Sequence, residues 1–414
     1  MTRAPGPKGG LFLGSLGAFR ADPLAFLARA AQDHGDIVRL RFGPITAHLI
    51  NHPAFVDHVL SRNVANYDKA TRSADRIAAT TGRSLLSADQ TAWARHRRLI
   101  QPAFQPRAFD AIDVILDALI DQMFARWDKA GKIDIVDEMM QLVIAAAIRI
   151  LFSSSIDPQR INAPLEILLA DTWRRIEAPL DASLLSPRLH RPAFRRAVAQ
   201  IDEVVIDLIR TRRASTQRPD DVLTRLLDAH AAEGEAQLTD QELRDAAVTL
   251  LLAGHETTAN ALSWAFIHAG SPFRDTDPAQ VFAEAIRLYP SIWIIERHAI
   301  AADNIGGYDI PSGSSVMISP FLLHRRADFW PDPMRFDPAR FAGDAPRPRD
   351  AYLPFGLGPH RCIGLHLARK IATHVIKRVF DQYDLQSLPD QPTQTNPGIT
   401  LRHAQPHYLN VARR

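Results

Sequence analysis

Phe355-Gly-Leu-Gly-Pro-His-Arg-Cys-Ile-Gly364 is the stretch on which the reading of this chain turns. Its glycines at 356, 358 and 364 let the backbone turn sharply and lie close against a flat or bulky group. Immediately downstream, Ile363, Leu367, Ile371, Val375 and Val379 recur every fourth residue, while Ala368, Ala372, Ile376 and Phe380 fill the adjacent row. That pattern predicts a helix with a wide buried stripe. Cys362 then stands at the helix N-terminus, where the dipole and free N–H groups favour thiolate over thiol. A lone cysteine without context is usually a small core hydrophobe. In a glycine-opened loop at a helix start it is suited to hold iron.

Cys362 is the one cysteine in 414 residues, so no intramolecular disulfide can form, which fits a reducing compartment. Lys and Arg number 49 against 46 Asp and Glu, a net charge of +3. The arginines are scattered, with modest clusters at 95–98 and 191–196, and no basic stripe marks a nucleic-acid binder. The longest apolar run, Leu142 to Ile148, is stopped by Arg149 and is far short of the ~18 residues of a spanning helix. The opening Met1-Thr-Arg-Ala-Pro-Gly-Pro lacks a signal-peptide pattern. No membrane span and a cytoplasmic location are expected.

Working outward, Asp22-Pro23 predicts a helix start with Leu24, Leu27 and Ala31 on its apolar face. Ile37-Val-Arg-Leu-Arg-Phe42 and Thr46-Ala-His-Leu-Ile50 predict a hairpin turning at Gly43-Pro44. Residues 109–258 are mostly helical in pattern, with apolar three- and four-residue spacing over 112–127 and 197–212. Residues 71–90 and 178–192 read as loops, and 213–221 and 230–237 as surface connections. After Pro290 short extended pieces alternate with proline turns. With no repeat and no long linker, 1–414 reads as a single domain, mainly α with a minor β part.

Three further groupings carry chemistry. Glu284 and Arg287 share a helix face at i, i+3; taken alone they describe a surface ion pair worth a few tenths of a kcal/mol. Trp93 and Arg97 put an indole N–H and a guanidinium one turn apart, both donors only, which suits a shared anion. A helix opened by the capping box Thr239-Asp-Gln-Glu242 runs to about Ala269 and carries Ala253-Gly-His-Glu-Thr-Thr258 at its middle. Gly254 costs roughly 1 kcal/mol there relative to alanine, and Glu256 interrupts an apolar neighbourhood. A small residue makes a groove for a diatomic ligand, a hydroxyl can bond the backbone, and the adjacent acid can relay protons. Local rules broken together are where function is expected.

These residues make the chain similar to the cytochrome P-450 monooxygenases, whose heme loop is Phe-Gly-x-Gly-x-(Arg/His)-x-Cys-x-Gly. Every fixed position matches between Phe355 and Gly364, with His360 standing where arginine is usual. The resemblance implies a triangular helical prism with heme b between the long oxygen-activating helix and the proximal helix. It makes Cys362 the axial iron ligand and packs Phe355 by the sulfur. It places Trp93, Arg97, His360 and Arg297, in Ile294-Ile-Glu-Arg-His-Ala, on the heme propionates. Glu256 and Thr257 match the acid–alcohol pair that passes protons to the oxygen being activated. Glu284, Arg287 and Arg340, in Phe336-Asp-Pro-Ala-Arg-Phe341, match a structural triad behind the heme loop. Ala253, Ser291, Ile292, Trp293, Ile294, Ile295, Ile399 and Thr400 match the substrate pocket. The apolar run among them implies a lipophilic small molecule: a terpenoid, a fatty acid or an aromatic natural product.

One departure stands out. Between Thr258 and Glu284 the family carries a longer stretch with an additional helix, whereas 269–278 offers only a short loop, so that helix is expected to be missing. No segment reads as a flavin or nicotinamide site. Together with O₂, the chain is therefore expected to use a ferredoxin or flavodoxin with its reductase. Arg95, Arg98, Arg361, Arg369 and Lys370 are candidates for the docking patch. Competing readings are a heme-binding sensor without turnover and a peroxide-driven oxygenase, which the retained Glu256–Thr257 pair disfavours. A cysteine hydrolase using His360 or His366 leaves that pair, and Trp93 with Arg97, unexplained; a zinc site lacks four ligands.

Overall fold

The computed structural model describes residues 2–178, 190–231, 238–270, 273–343 and 350–414. Helices dominate, and small sheets flank them. Asp22 caps the helix Pro23–His34 by accepting from the Ala25 amide at 2.9 Å, as its position before a proline predicts. Strands Ile37–Phe42 and Ile45–Ile50 form the expected hairpin, with Phe42 opposite Ile45 across the Gly43-Pro44 turn. They join a five-stranded sheet in the order Ile37–Phe42, Ile45–Ile50, Ser315–Ile318, Ile295–Ala299, Tyr67–Asp68, in which only the Ile45–Ile50/Ser315–Ile318 pair is parallel.

The helix Asp240–Ala269 passes through the middle of the molecule, its first turn closed by the Thr239–Glu242 capping box. It packs most extensively on Ile135–Phe152, and also on Pro278–Leu288 and the proximal helix Leu365–Gln382. Together these build the largest apolar core. The central helix is buried on nearly every side, which is why it can be apolar all round. Near its end Trp264 is sandwiched between Tyr289 at 3.8 Å and His403 at 3.5 Å. His403 belongs to the hairpin Thr395–Pro397/Leu401–His403, which is thereby pinned to the helix.

Two expectations change. Residues 71–90 are not all loop: Arg72–Thr81 is a helix, capped by the Thr71 hydroxyl accepting from the Ala74 amide at 3.1 Å. Its apolar positions are one isoleucine and alanines, so composition leads the sequence reading to a loop. It lies against Gln159–Glu177 through a Thr80–Thr172 hydroxyl pair at 2.9 Å and an Arg175 donation to Arg76 O at 3.1 Å. Residues 230–237 are not wholly a connection either, because Val222–Ala231 is helical; 232–237 lie outside the described residues, as do 179–189 of the second expected loop. Between Ala269 and Pro278 the described residues make only tight turns, with the Phe273 amide on Gly270 O and the Thr276 amide on Phe273 O. Among the described residues no helix is long and apolar enough to cross a membrane.

Candidate active site

Residues 355–364 form a tight loop ahead of the proximal helix. The Cys362 amide donates to Phe355 O at 2.9 Å, and the Gly356 amide to Leu353 O at 3.0 Å. Gly356 and Gly358 hold φ of +73° and +67°, the left-handed region that a side chain penalises, and a Cβ at Gly358 would also strike the Leu60 carbonyl. The Cys362 sulfur opens on a cavity that it lines. Burial pushes its thiol pKa up, against the downward pull of the Gly364 and Leu365 amides and of Arg97 and Arg361. A metal cation at the sulfur would supply the missing charge.

The cavity encloses about 770 Å³ and is walled mainly by aliphatic and aromatic side chains. Ala253, Ser291, Ile292, Ile294, Ile295, Ile399 and Thr400 all line it, together with residues of Arg72–Thr81 and Gln159–Glu177. Trp293 does not, which corrects the expected pocket. Its indole is fully buried, stacks 6.5 Å from Phe19 and donates to Gly398 O at 2.8 Å. Ile292 and Ile294 on either side of it line the cavity, while the tryptophan is packed into the core.

Four basic side chains, Lys69, Arg97, Arg297 and His360, converge on this cavity. The His360 ring lies 3.7 Å from Trp93, and Lys69 Nζ stands 5.5 Å over the same indole. Arg97 donates to Arg361 O at 2.9 Å, tying its helix to the cysteine loop. Both His360 nitrogens and Nε of Arg297 are buried without a partner. Burial and then Lys69, Arg297 and Arg97 push His360 down to about 3. Lys69 is lowered well below its ordinary value by burial, then by Arg297 and Arg97. Burial lowers Arg297 to about 10. Crowded cations and unpaired N–H groups around one cavity need an anion. Heme b brings two propionates, a flat ring for the glycine loop and an iron for Cys362, and at Gly356 and Gly364 a Cβ would meet open space. The residues present fit that group. Lys69 was not foreseen, since nothing in the spacing around Tyr67-Asp68 marks it.

Across the cavity the central helix runs unbroken through Gly254. Thr257 Oγ1 donates to Ala253 O at 2.8 Å, and Ser291 donates to Thr257 O at 2.7 Å. Glu256 is 2% exposed and pairs with Arg402 from the pinned hairpin, a partner that sequence reasoning missed. Arg402 is itself 30% exposed, so the pair reaches from the buried acid towards solvent. Behind the cysteine loop, Glu284 and Arg287 are both fully buried and joined by two hydrogen bonds of 2.6 and 2.8 Å. Glu284 also accepts from the Asp337 amide at 2.8 Å, and Arg340 Nε stands 3.5 Å from it. On the proximal surface, Arg95 is turned onto Glu242, and Lys370 onto Asp113 at 3.3 Å. Arg98, Arg361 and Arg369 remain exposed.

A family model described as cytochrome P-450 matches residues 4–269 and 279–411. Its one interruption falls on the short link before Pro278. Over 418 aligned residues the chain is 33% identical to cyclooctat-9-en-7-ol 5-monooxygenase of Streptomyces melanosporofaciens, covering 94% of this chain and 90% of that protein. It is 31% identical to cyclooctatin synthase of the same organism, over 92% of this chain and 89% of that one. Pentalenene oxygenase of Streptomyces avermitilis is 29% identical, over 92% and 91%.

Proposed function

The chain belongs to the cytochrome P-450 family, and on that premise we propose that it oxygenates a cyclic terpenoid with electrons from a ferredoxin or flavodoxin and its reductase. As a heme-thiolate monooxygenase it carries heme b. The bound iron supplies O₂ binding and cleavage, helped by electron density from the thiolate. The overall balance consumes one C–H bond, O₂, two electrons and two protons, and yields a C–OH group and water.

The chain's own residues divide the remaining work. Cys362 holds the iron; Lys69, Arg97, Arg297, His360 and Trp93 hold the propionates. The Thr257 hydroxyl, its proton engaged by Ala253 O, keeps its lone pairs turned to accept. Glu256, paired with Arg402, is the acid beside it through which protons are relayed. Glu284, Arg287 and Arg340 keep the cysteine loop in place. Ile292, Ile294, Ile295 and Ile399 exclude water and accept an apolar skeleton.

The observation that carries the terpenoid reading is the apolar wall of Ile292, Ile294, Ile295 and Ile399, on the part of the cavity beyond the residues that would hold heme. Similar proteins named for oxidising cyclooctat-9-en-7-ol and pentalenene support it. Titrating the heme-loaded protein with cyclic terpenoids, fatty acids and aromatic polyketides tests it through the Soret spin-state change. Terpenoids are expected to give the tightest response. A response confined to the other two classes refutes the reading.

A further inference from the structure

Threonines and serines buried in a helix ordinarily satisfy their hydroxyls on the carbonyl one turn back. Thr81 does so on Ile77 O, Thr257 on Ala253 O and Ser263 on Ala259 O. Thr249, on the same central helix, does not. It is 2% exposed and lines the cavity, and its Oγ1 is buried with no partner. Most other polar groups on the wall are engaged: Ser291 on Thr257 O, the Thr71 hydroxyl on the Ala74 amide, Thr400 with Asn260. The unpartnered His360 and Arg297 atoms belong to the cationic end already described, and Glu296 Oε2, also unpartnered on the wall, stands beside Arg297 there. A buried hydroxyl left without a partner is costly, and native structures rarely keep one idle.

We propose that Thr249 hydrogen-bonds an oxygen already present on the substrate, so that the chain acts on a terpenoid alcohol or ketone rather than a bare hydrocarbon. The skeleton rests on the terpenoid reading above; the oxygen does not. A lone hydroxyl suits a neutral oxygen, because by itself it offers a carboxylate no opposite charge. Thr249, Ala253 and Thr257 fall at i, i+4 and i+8, on one face of the helix. Eight residues at 1.5 Å put the two hydroxyl-bearing residues about 12 Å apart along the axis. The oxygen to be added therefore enters several carbon–carbon bonds from the oxygen that is held. The step before this one must be of a class that leaves oxygen on the skeleton: a cyclisation ended by water, or a prior oxygenation.

Spin-state titration of the heme-loaded protein gives affinities for three pairs: cedrol and cedrane, androstanol and androstane, dodecanol and dodecane. The ratio of alcohol to hydrocarbon affinity is expected to fall about tenfold from wild type to Thr249→Val, with a tenfold ratio equal to about 1.4 kcal/mol. Thr249→Ser is expected to restore it. Thr249→Ala serves as a second variant lacking the hydroxyl, and the reduced carbon monoxide band certifies each fold. A fall with cedrol supports both the anchor and the skeleton. A fall only with androstanol or dodecanol keeps the anchor and overturns the terpenoid reading. A ratio unchanged for every pair overturns the anchor, whichever skeleton binds.

Discussion

Replacing Lys69 with methionine is expected to move the heme-free and heme-loaded proteins in opposite directions. Nζ is buried over Trp93, donates to Leu85 O at 2.5 Å, and has Arg297 and Arg97 as its strongest charged neighbours. Without heme its charge is poorly placed, and its pKa is lowered well below 10.5. The folded chain thus releases this proton before the unfolded chain does. Between the lowered folded value and about 10.4 the unfolded chain binds more protons, so the heme-free protein gains stability as pH rises through that window. Methionine has similar length and no charge; it should remove that dependence and raise the heme-free Tm. In the loaded protein the same change deletes one charge-assisted hydrogen bond to a propionate, worth about 1.5–3 kcal/mol. Heme affinity should fall roughly 10- to 150-fold. Thermal melts of the heme-free protein from neutral to alkaline pH, beside hemin titrations, read both effects. A lower heme-free Tm with heme affinity unchanged would refute the assignment.

Two further outcomes follow from ion pairs that hold a buried carboxylate. Glu284→Gln leaves the buried Arg287 guanidinium without a counter-charge, on one amide oxygen and the carbonyls of His324, Pro333 and Arg335. A loss of about 3–5 kcal/mol is expected, seen in denaturant melts and as a carbon monoxide band lacking its thiolate position; a melt superimposable on wild type counts against the triad. Arg402→Gln strips Glu256 of its partner and should lower product formed per electron pair several-fold, with a larger solvent isotope effect on turnover. Unchanged coupling would show that the pair plays no part in proton supply.

Much of this site is contiguous chemistry, which is why it is legible. The cysteine loop, the Ala253–Thr258 stretch and the Glu284–Arg287 spacing each place their functional atoms within a few residues of one another, so local periodicity reveals them. Lys69, Arg402 and Thr249 come from segments whose patterns look ordinary, and only the tertiary fold turns Lys69 and Thr249 onto the cavity and Arg402 onto Glu256. The Arg72–Thr81 helix escapes notice where its polar, small-residue composition is weighed above the helical spacing of Ala74, Ile77 and Ala78. Trp293 was misplaced for a different reason. A run of four apolar residues does not say which of them turns to the core, and here only the tertiary packing of Trp293 against Phe19 and Gly398 does.

The central helix sets a limit on how this protein can diversify. The positions that hold the substrate oxygen, leave room for O₂ and carry the hydroxyl beside Glu256 are graduations on one rigid rod. Inserting or deleting a residue between 249 and 257 would swing everything downstream by about 100° and misalign all of them together. New substrates should therefore be accommodated by retailoring the Arg72–Thr81 and Gln159–Glu177 covering and the hairpin tip at Ile399 and Thr400, while the rod keeps its length.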